Sequence, residues 1–383
     1  MLIRIYKILI FVLCIVSSML ILLGLYQTQA SYGQLDKLLV GFSRRRTFIT
    51  GNGINEHKRN VTDNDKNNTQ RNNQTTRKTS SIFLDYQQVL KSGNFSMNQS
   101  VNISEVRPDT CDACFPQSSY IYKNDNLCST NNSTTQVKLL IIILTAVSET
   151  HNRTTVRKTW TSISNKNTGE LRYVFVLGKH AKDPTWNMRA LEEAKIYGDI
   201  IIKDFMDVYN NLTLKTMSGL KWASDFCSNA KYVMKTDTDT YVNTPKLLQL
   251  IDSFEIENEI IGKCAQHIIP RRNETLKYYV SPVQYPHLTY PPYCLGGAGY
   301  VTTMEVVKGI ARVSPNIPFF FFEDVYVGLC NEALGYKVRS VKEFNKKLKR
   351  NACWNQKIII TSHRVSPREI RKTWNTKCLN KNV

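Results

Sequence analysis

Two carboxylates one residue apart, Asp237 and Asp239, close the apolar, β-branched run Tyr232-Val233-Met234-Lys235-Thr236-Asp237-Thr238-Asp239, and a turn follows. Alternate residues of an extended segment point to opposite faces, so these two present their oxygens on one side where a strand ends. No basic side chain follows within the next few residues. Such a pair suits a hard divalent cation, which takes oxygen ligands and often shares its coordination shell with substrate phosphates. Taken alone, Asp-x-Asp more often marks a solvated turn. Its meaning depends on what surrounds it.

Three further segments carry reactive groups. Phe319-Phe320-Phe321-Phe322-Glu323-Asp324 places two acids after four aromatics, where a helix running to about Leu334 begins. Acids at a helix N-terminus interact favourably with the macrodipole, and a carboxylate beside apolar walls also suits a general base. His363 follows the β-branched run Ile358-Ile359-Ile360 and precedes a loop closed by Pro367. A histidine at a strand end serves as a metal ligand or as an ordinary surface residue. Tyr290-Pro291-Pro292-Tyr293-Cys294 leads into Gly296-Gly297-Ala298-Gly299. These glycines permit either close backbone approach to a ligand or a tight connection between strands.

The elements that must position these groups begin at Val137. Val137 to Thr145 and Arg172 to Gly178 read as strands buried on both faces. A helix begins within Thr154 to Ser162, a second covers Asp183 to Tyr197, and Asp199 to Lys203 is a short strand. Thr213 to Cys227 is helical, with Leu214, Met217, Leu220, Ala223 and Phe226 recurring at spacings of three or four. Strands alternating with helices imply an α/β fold whose sheet is mainly parallel. In such sheets ligands bind beyond the carboxyl ends of the strands, which is where Asp237 and Asp239 fall.

Residues Ile8 to Leu25 are eighteen uncharged, mostly aliphatic positions behind Arg4 and Lys7. At 1.5 Å per residue they span about 27 Å, close to a bilayer core. The positive-inside rule leaves residues 1–7 in the cytoplasm and everything after the 8–26 anchor across the membrane. A cleaved signal peptide ending near Ala30 is the alternative, although the run is long for one. Residues 27–135, rich in Asn, Thr, Ser and Lys, read as a stem, with the part from about Val106 packing on the domain. The folded domain is 136–383. Eleven Asn-x-Ser/Thr acceptors occur, at Asn60, Asn67, Asn73, Asn94, Asn98, Asn102, Asn131, Asn132, Asn152, Asn211 and Asn273. Of ten cysteines, nine lie beyond the apolar run, an odd number that leaves at least one free or paired between chains. Cys111-x-x-Cys114 lacks a fourth zinc ligand nearby and reads as part of a disulfide cluster.

The net charge is +20, and the last 47 residues alone hold fourteen Lys or Arg against two Glu. No nucleic-acid fold signature accompanies them, so nucleic acid is excluded as a partner. Solvated lysines account for the charge, as does attraction of an acidic glycan or anionic lipid headgroups.

In this order, Arg157-x-Thr159-Trp160, Phe175-Val176-Leu177-Gly178, Tyr209 to Thr216, Lys235-Thr236-Asp237-Thr238-Asp239, Tyr290-Pro291-Pro292-Tyr293-Cys294 and Glu323-Asp324-Val325-Tyr326-Val327-Gly328 resemble the β1,3-galactosyltransferase family, the inverting transferases of glycosyltransferase family 31. The resemblance runs from about Leu139 to Pro367. It implies a nucleotide-diphospho-sugar transferase (GT-A-like) fold with a mainly parallel mixed sheet, Mn²⁺, a UDP-sugar donor, and a single-pass Golgi membrane protein with a lumenal catalytic domain. It also implies that Asp237 and Asp239 form the metal and donor site, that Asp324 is the catalytic base, and that His363 is a further metal ligand. Arg157, Trp160 and Glu323 fall among the donor-binding residues. Thr161 stands where a glycine is frequent, and Thr238 where a third aspartate is.

The implied chemistry is one displacement. An acceptor hydroxyl attacks the sugar carbon, a carboxylate takes its proton, and the diphosphate departs from the opposite face. The expected reaction is transfer of galactose from UDP-galactose, in β1,3 linkage, to a glycan on glycoprotein, glycolipid or proteoglycan. A homodimer is compatible with this reading. Two alternatives stand beside it: an N-acetylglucosaminyltransferase using UDP-N-acetylglucosamine, and an inactive glycan-binding membrane glycoprotein. Donor choice rests on a few pocket contacts that the sequence leaves open.

Overall fold

A computed structural model describes residues 106–129 and 137–378. In chain order it contains β1 (Tyr120–Tyr122), β2 (Leu139–Leu144), α1 (Thr150–Lys158), β3 (Leu171–Lys179), α2 (Pro184–Tyr197), β4 (Ile200–Met206), α3 (Leu212–Phe226), β5 (Tyr232–Asp237), β6 (Tyr241–Val242) and α4 (Thr244–Ser253). Then come β7 (Glu259–Gly262), β8 (Cys264–Ala265), β9 (Tyr293–Cys294), β10 (Tyr300–Thr303), α5 (Met304–Val313), α6 (Glu323–Ala333), β11 (Lys337–Ser340), α7 (Ala352–Ile358), β12 (Thr361–Ser362) and α8 (Pro367–Asn375). Eight strands form one mixed sheet in the order β1-β4-β3-β2-β5-β10-β7-β11. The β4-β3-β2-β5 half is parallel, and β10 runs antiparallel to both β5 and β7.

The uninterrupted apolar run of β2 explains its place at the centre. Leu140, Ile142 and Leu144 join one core with Leu214, Met217 and Leu220 of α3. Leu139, Ile141 and Ile143 join the opposite core with Val156 of α1, Ala190 and Ala194 of α2, and Leu247 of α4. Side chains alternating across the pleat thus feed two layers, as a sheet covered on both faces requires. Helix α2 starts where its capping chemistry says it should. Asp183 accepts the Thr185 amide at 2.8 Å, Pro184 occupies the first turn, and Gly198 ends the helix at φ +65°.

From β2 the chain steps outward to β3 and β4, then returns to β5 on the other side of β2. That reversal opens a crevice at the carboxyl ends of β2 and β5. Residues from Val106 onward do pack on the domain. The Arg107 amide donates to the Val283 carbonyl at 2.9 Å, β1 pairs with β4, and Cys128 is bonded to Cys227. The other disulfides join Cys111 to Cys114, Cys264 to Cys294 and Cys353 to Cys378, leaving Cys330 free and buried.

Two expectations need correction. The strand before His363 is only Thr361–Ser362, because Ile358 ends helix α7. Asn211 is buried, and its side-chain amide donates to the Met206 carbonyl at 2.9 Å, so a glycan has no room there. Asn273 is exposed and Asn152 half-buried; the eight acceptors before residue 136 lie outside the described residues. The Ile8–Leu25 run also lies outside them, and no helix among the described residues is long and apolar enough to cross a membrane.

Candidate active site

Asp237 is the last residue of β5 and pairs with Leu144 at the end of β2. The Thr238 amide donates to the Leu144 carbonyl at 3.0 Å and the Thr240 amide to the Asp237 carbonyl at 3.2 Å, folding Thr238–Asp239 into a tight turn beyond the sheet. Strand β6 leaves that turn and pairs antiparallel with β12, setting Ser362 opposite Tyr241. The loop after β12 is tied back by the Val365 amide, 2.8 Å from the Asp239 carbonyl, with Arg364 at φ +60°. His363 therefore faces the aspartates, its Nε2 lying 3.3 Å from Asp239 Oδ1. One ligand atom from each of Asp237, Asp239 and His363 falls within 4.8 Å of the others.

The glycine turn supplies the space. A Cβ on Gly297 would lie 2.6 Å from His363 Cε1 and 3.0 Å from Asp237 Oδ2, and one on Gly296 would lie 1.9 Å from Glu323 Oε1. Any larger residue would fill the cradle. The turn is held by Thr240 Oγ1, which donates to the Gly297 carbonyl at 2.7 Å. Two carboxylates and an imidazole around a kept-open space fit a divalent cation such as Mn²⁺.

Beneath this cluster lies Lys235, one pleat back from Asp237 and 1% exposed. Its ammonium donates to Glu323 Oε1 at 2.7 Å and Asp237 Oδ1 at 3.1 Å, while Thr216 Oγ1 donates to Glu323 Oε2 at 2.9 Å. Burial alone would lower the Lys235 pKa, but the Asp237 and Glu323 carboxylates hold it above the usual lysine range. Lys235 and Thr216 sit within the motifs named above but have no task that their types alone assign, whereas Gly296 and Gly297 here serve close approach to the site. The detectable signal was a lysine in an otherwise apolar strand, in phase with Asp237.

Asp324 stands in the first turn of α6 beside the buried Glu323. Among the described residues its side chain accepts the Val325 amide at 3.0 Å and its own backbone amide, and no side chain donates to it. Burial, with the neighbouring Glu323 charge, pushes its pKa up to about 7 despite Lys235. Burial and the Asp324 charge together push the Tyr293 hydroxyl up to about 12. Asp237, Glu323, Asp324 and His363 line one cavity of about 730 Å³, a volume suited to a ligand of nucleotide-sugar size.

Arg157 and Trp160 do not line that cavity. Arg157 is locked between Asp199, with contacts at 2.7 and 2.8 Å, and Glu193 at 2.7 Å, and its guanidinium lies 3.9 Å from the Tyr197 ring centroid. Trp160 is fully buried in the core beneath β2, and its carbonyl accepts the Thr244 hydroxyl at 2.8 Å.

A family model described as Galactosyltransferase matches residues 151–342. Beta-1,3-galactosyltransferase 1 of Mus musculus is 38% identical over 240 residues, covering 62% of this chain and 73% of that one. Beta-1,3-galactosyltransferase 5 of Gorilla gorilla gorilla is 32% identical over 269 residues, covering 68% and 89%. A crystal structure of galactosyltransferase LgtC with donor and acceptor sugar analogues aligns over 63% of this chain and 98% of that one, at 10% identity and a TM-score of 0.35.

Proposed function

The chain belongs to the galactosyltransferase family and is a glycosyltransferase; we propose that it transfers galactose from UDP-galactose to an acceptor glycan in β1,3 linkage, inverting the anomeric carbon. The observation that carries this reading is the half-buried, largely unpartnered Asp324 on the same cavity as Asp237 and His363. That these relatives are beta-1,3-galactosyltransferases favours galactose over other sugars and a β1,3 linkage.

Asp237, Asp239 and His363 would hold the divalent cation, whose contribution when bound is to neutralise charge on the departing diphosphate. Asp324 takes the proton of the attacking acceptor hydroxyl as the new oxygen–carbon bond forms. The bond from the sugar carbon to the phosphate oxygen breaks, and its electron pair leaves with UDP. A base in this role works best when its pKa lies near the working pH, which the environment of Asp324 achieves. Glu323 stays with Lys235 and Thr216, so it braces the base rather than sharing its task. We assign Arg157 and Trp160 to supporting the β2–β3–β4 side of the fold rather than to touching the donor. The Ile8–Leu25 run would anchor the protein in the Golgi membrane as a single pass, with residues 27–135 as a lumenal stem.

The deciding experiment incubates the full chain and Mn²⁺ with a panel of UDP-sugars and a mixed glycan acceptor pool. UDP-galactose should be consumed fastest, and the anomeric proton coupling of the product should report a β linkage. Preference for UDP-N-acetylglucosamine, or an α-linked product, would overturn the proposal.

A further inference from the structure

The loop between β8 and β9 forms the wall of the cavity beside the base. Tyr278 on this loop packs edge-on against Phe322 at 6.0 Å between ring centroids, and Phe322 is two residues from Asp324. Two cations flank the same tyrosine: Arg271 lies 5.5 Å and Lys277 5.4 Å from its ring centroid. Lys277 also lies 5.8 Å from the ring of Tyr209, which is 53% exposed. Both cationic side chains are exposed and line the cavity. Neither is ion-paired to a carboxylate among the described residues. The nearest acid in sequence, Glu274, accepts the Tyr279 hydroxyl at 3.2 Å. Arg364 is on a different segment, next to His363, where a diphosphate would be met.

We propose that Arg271 and Lys277 bind an anionic substituent of the acceptor glycan, a carboxylate or a sulfate, so that this transferase takes an acidic oligosaccharide. The inference rests on the transferase reading above. The acceptor hydroxyl has to reach Asp324, so groups on the wall around Asp324 meet the acceptor rather than the donor. The aromatic faces of Tyr209 and Tyr278 suit the C–H face of a sugar ring, and the unpaired cations beside them suit its charge. A cleft with low-dielectric walls strengthens that attraction over what the same cations would exert on open surface.

The test measures binding to the full, detergent-solubilised chain by calorimetry. The probes are chondroitin 4-sulfate hexasaccharide, desulfated chondroitin hexasaccharide and neutral chitohexaose. Acidic probes should bind at least about tenfold more tightly than chitohexaose, and the preference should shrink as salt rises from about 50 to 300 mM. Arg271→Gln with Lys277→Gln should bring the ratio near one, while Lys277→Arg retains it. A stronger response to the sulfated probe assigns sulfate; equal responses assign the uronate. Equal affinity for the neutral probe, or a preference that survives the double substitution, would overturn the proposal. So would a matching rise in KM for UDP-galactose, which would give these cations to the donor diphosphate. Because binding is read without turnover, a chain that binds acidic probes through this pair yet transfers no galactose would refute the galactosyltransferase reading alone.

Discussion

Two buried ion networks lie on opposite sides of β2, and they differ in how their charge is balanced. On one side, Arg153 and Arg157 meet Glu193 and Asp199, two guanidiniums against two carboxylates. Arg153 is fully buried and spends its remaining donors on the Ala146 and Val147 carbonyls. On the other side, the buried ammonium of Lys235 serves Asp237 and Glu323, with Asp239 and Asp324 nearby, while the buried Lys215 is already taken by Asp207 and the Thr145 carbonyl. The first network is closed, and its worth lies in holding α1, α2 and β4 together. The second carries surplus negative charge at the edge of a cavity, a deficit that a bound cation and a transferable proton can fill. Sequence composition does not separate the two, since both are basic residues near acids. Whether every charge already has a partner does.

The largest loss is expected at the open network. Asp239→Ala should reduce transfer by about 10³-fold or more and remove calorimetric Mn²⁺ binding. Its melting temperature should barely move, because the Asp239 side chain is 44% exposed. Full turnover in EDTA would show that the surplus charge has another purpose.

Asp324→Asn comes next, with an expected loss of about 10²–10⁴-fold in kcat. The shift in its pKa adds a second readout. Burial and Glu323 raise the folded value to about 7, above that of the unfolded chain, so between those values the native state binds the extra proton. Stability attributable to this group is therefore present at low pH and lost as pH rises toward 7. In EDTA, the Asn variant should melt higher than the parent above pH 7, and the gap should close toward pH 4. The parent's transfer rate should rise with pH through the same region. A purified variant with near-normal transfer would return Asp324 to the role of a helix-end acid.

The smallest effect on catalysis is expected in the closed network. Arg157→Lys loses a bidentate contact and should cost about 1.5–3 kcal/mol of stability. KM for the UDP-sugar should stay within about twofold. A large rise in that KM with unchanged stability would restore Arg157 to the donor pocket.

Much of this arrangement is legible in the amino-acid sequence. The strand that ends at Asp237 is a local property of six residues, and β5 runs from Tyr232 to Asp237, but Asp239 lies in the turn that follows rather than on the extended segment. The expected helix over Asp183 to Tyr197 matches α2 to within a residue, and the apolar period marks α3. What stayed hidden depended on contacts between distant segments. Ile359 and Ile360 are buried and Ile358 partly so, and an apolar run of that kind could end a helix or make a strand, so it alone could not tell α7 from β12. The glycines at 296 and 297 admitted two readings until Glu323 and His363 were seen against them. The resemblance places Arg157 and Trp160 among the donor-binding residues, whereas Arg157 is held by Glu193, Asp199 and Tyr197 and Trp160 lies in the core.

The ladder between β6 and β12 has a consequence for biosynthesis. It joins residues about 120 positions apart, and His363 is made long after Asp237 and Asp239 have left the ribosome. A nascent chain can therefore assemble the β2–β3–β4–β5 half while its three-residue cluster is still incomplete. Domains emerging in N- to C-terminal order fold as their parts become available, so the reactive centre would switch on in one late step. No partly made chain would then be competent to consume nucleotide sugar.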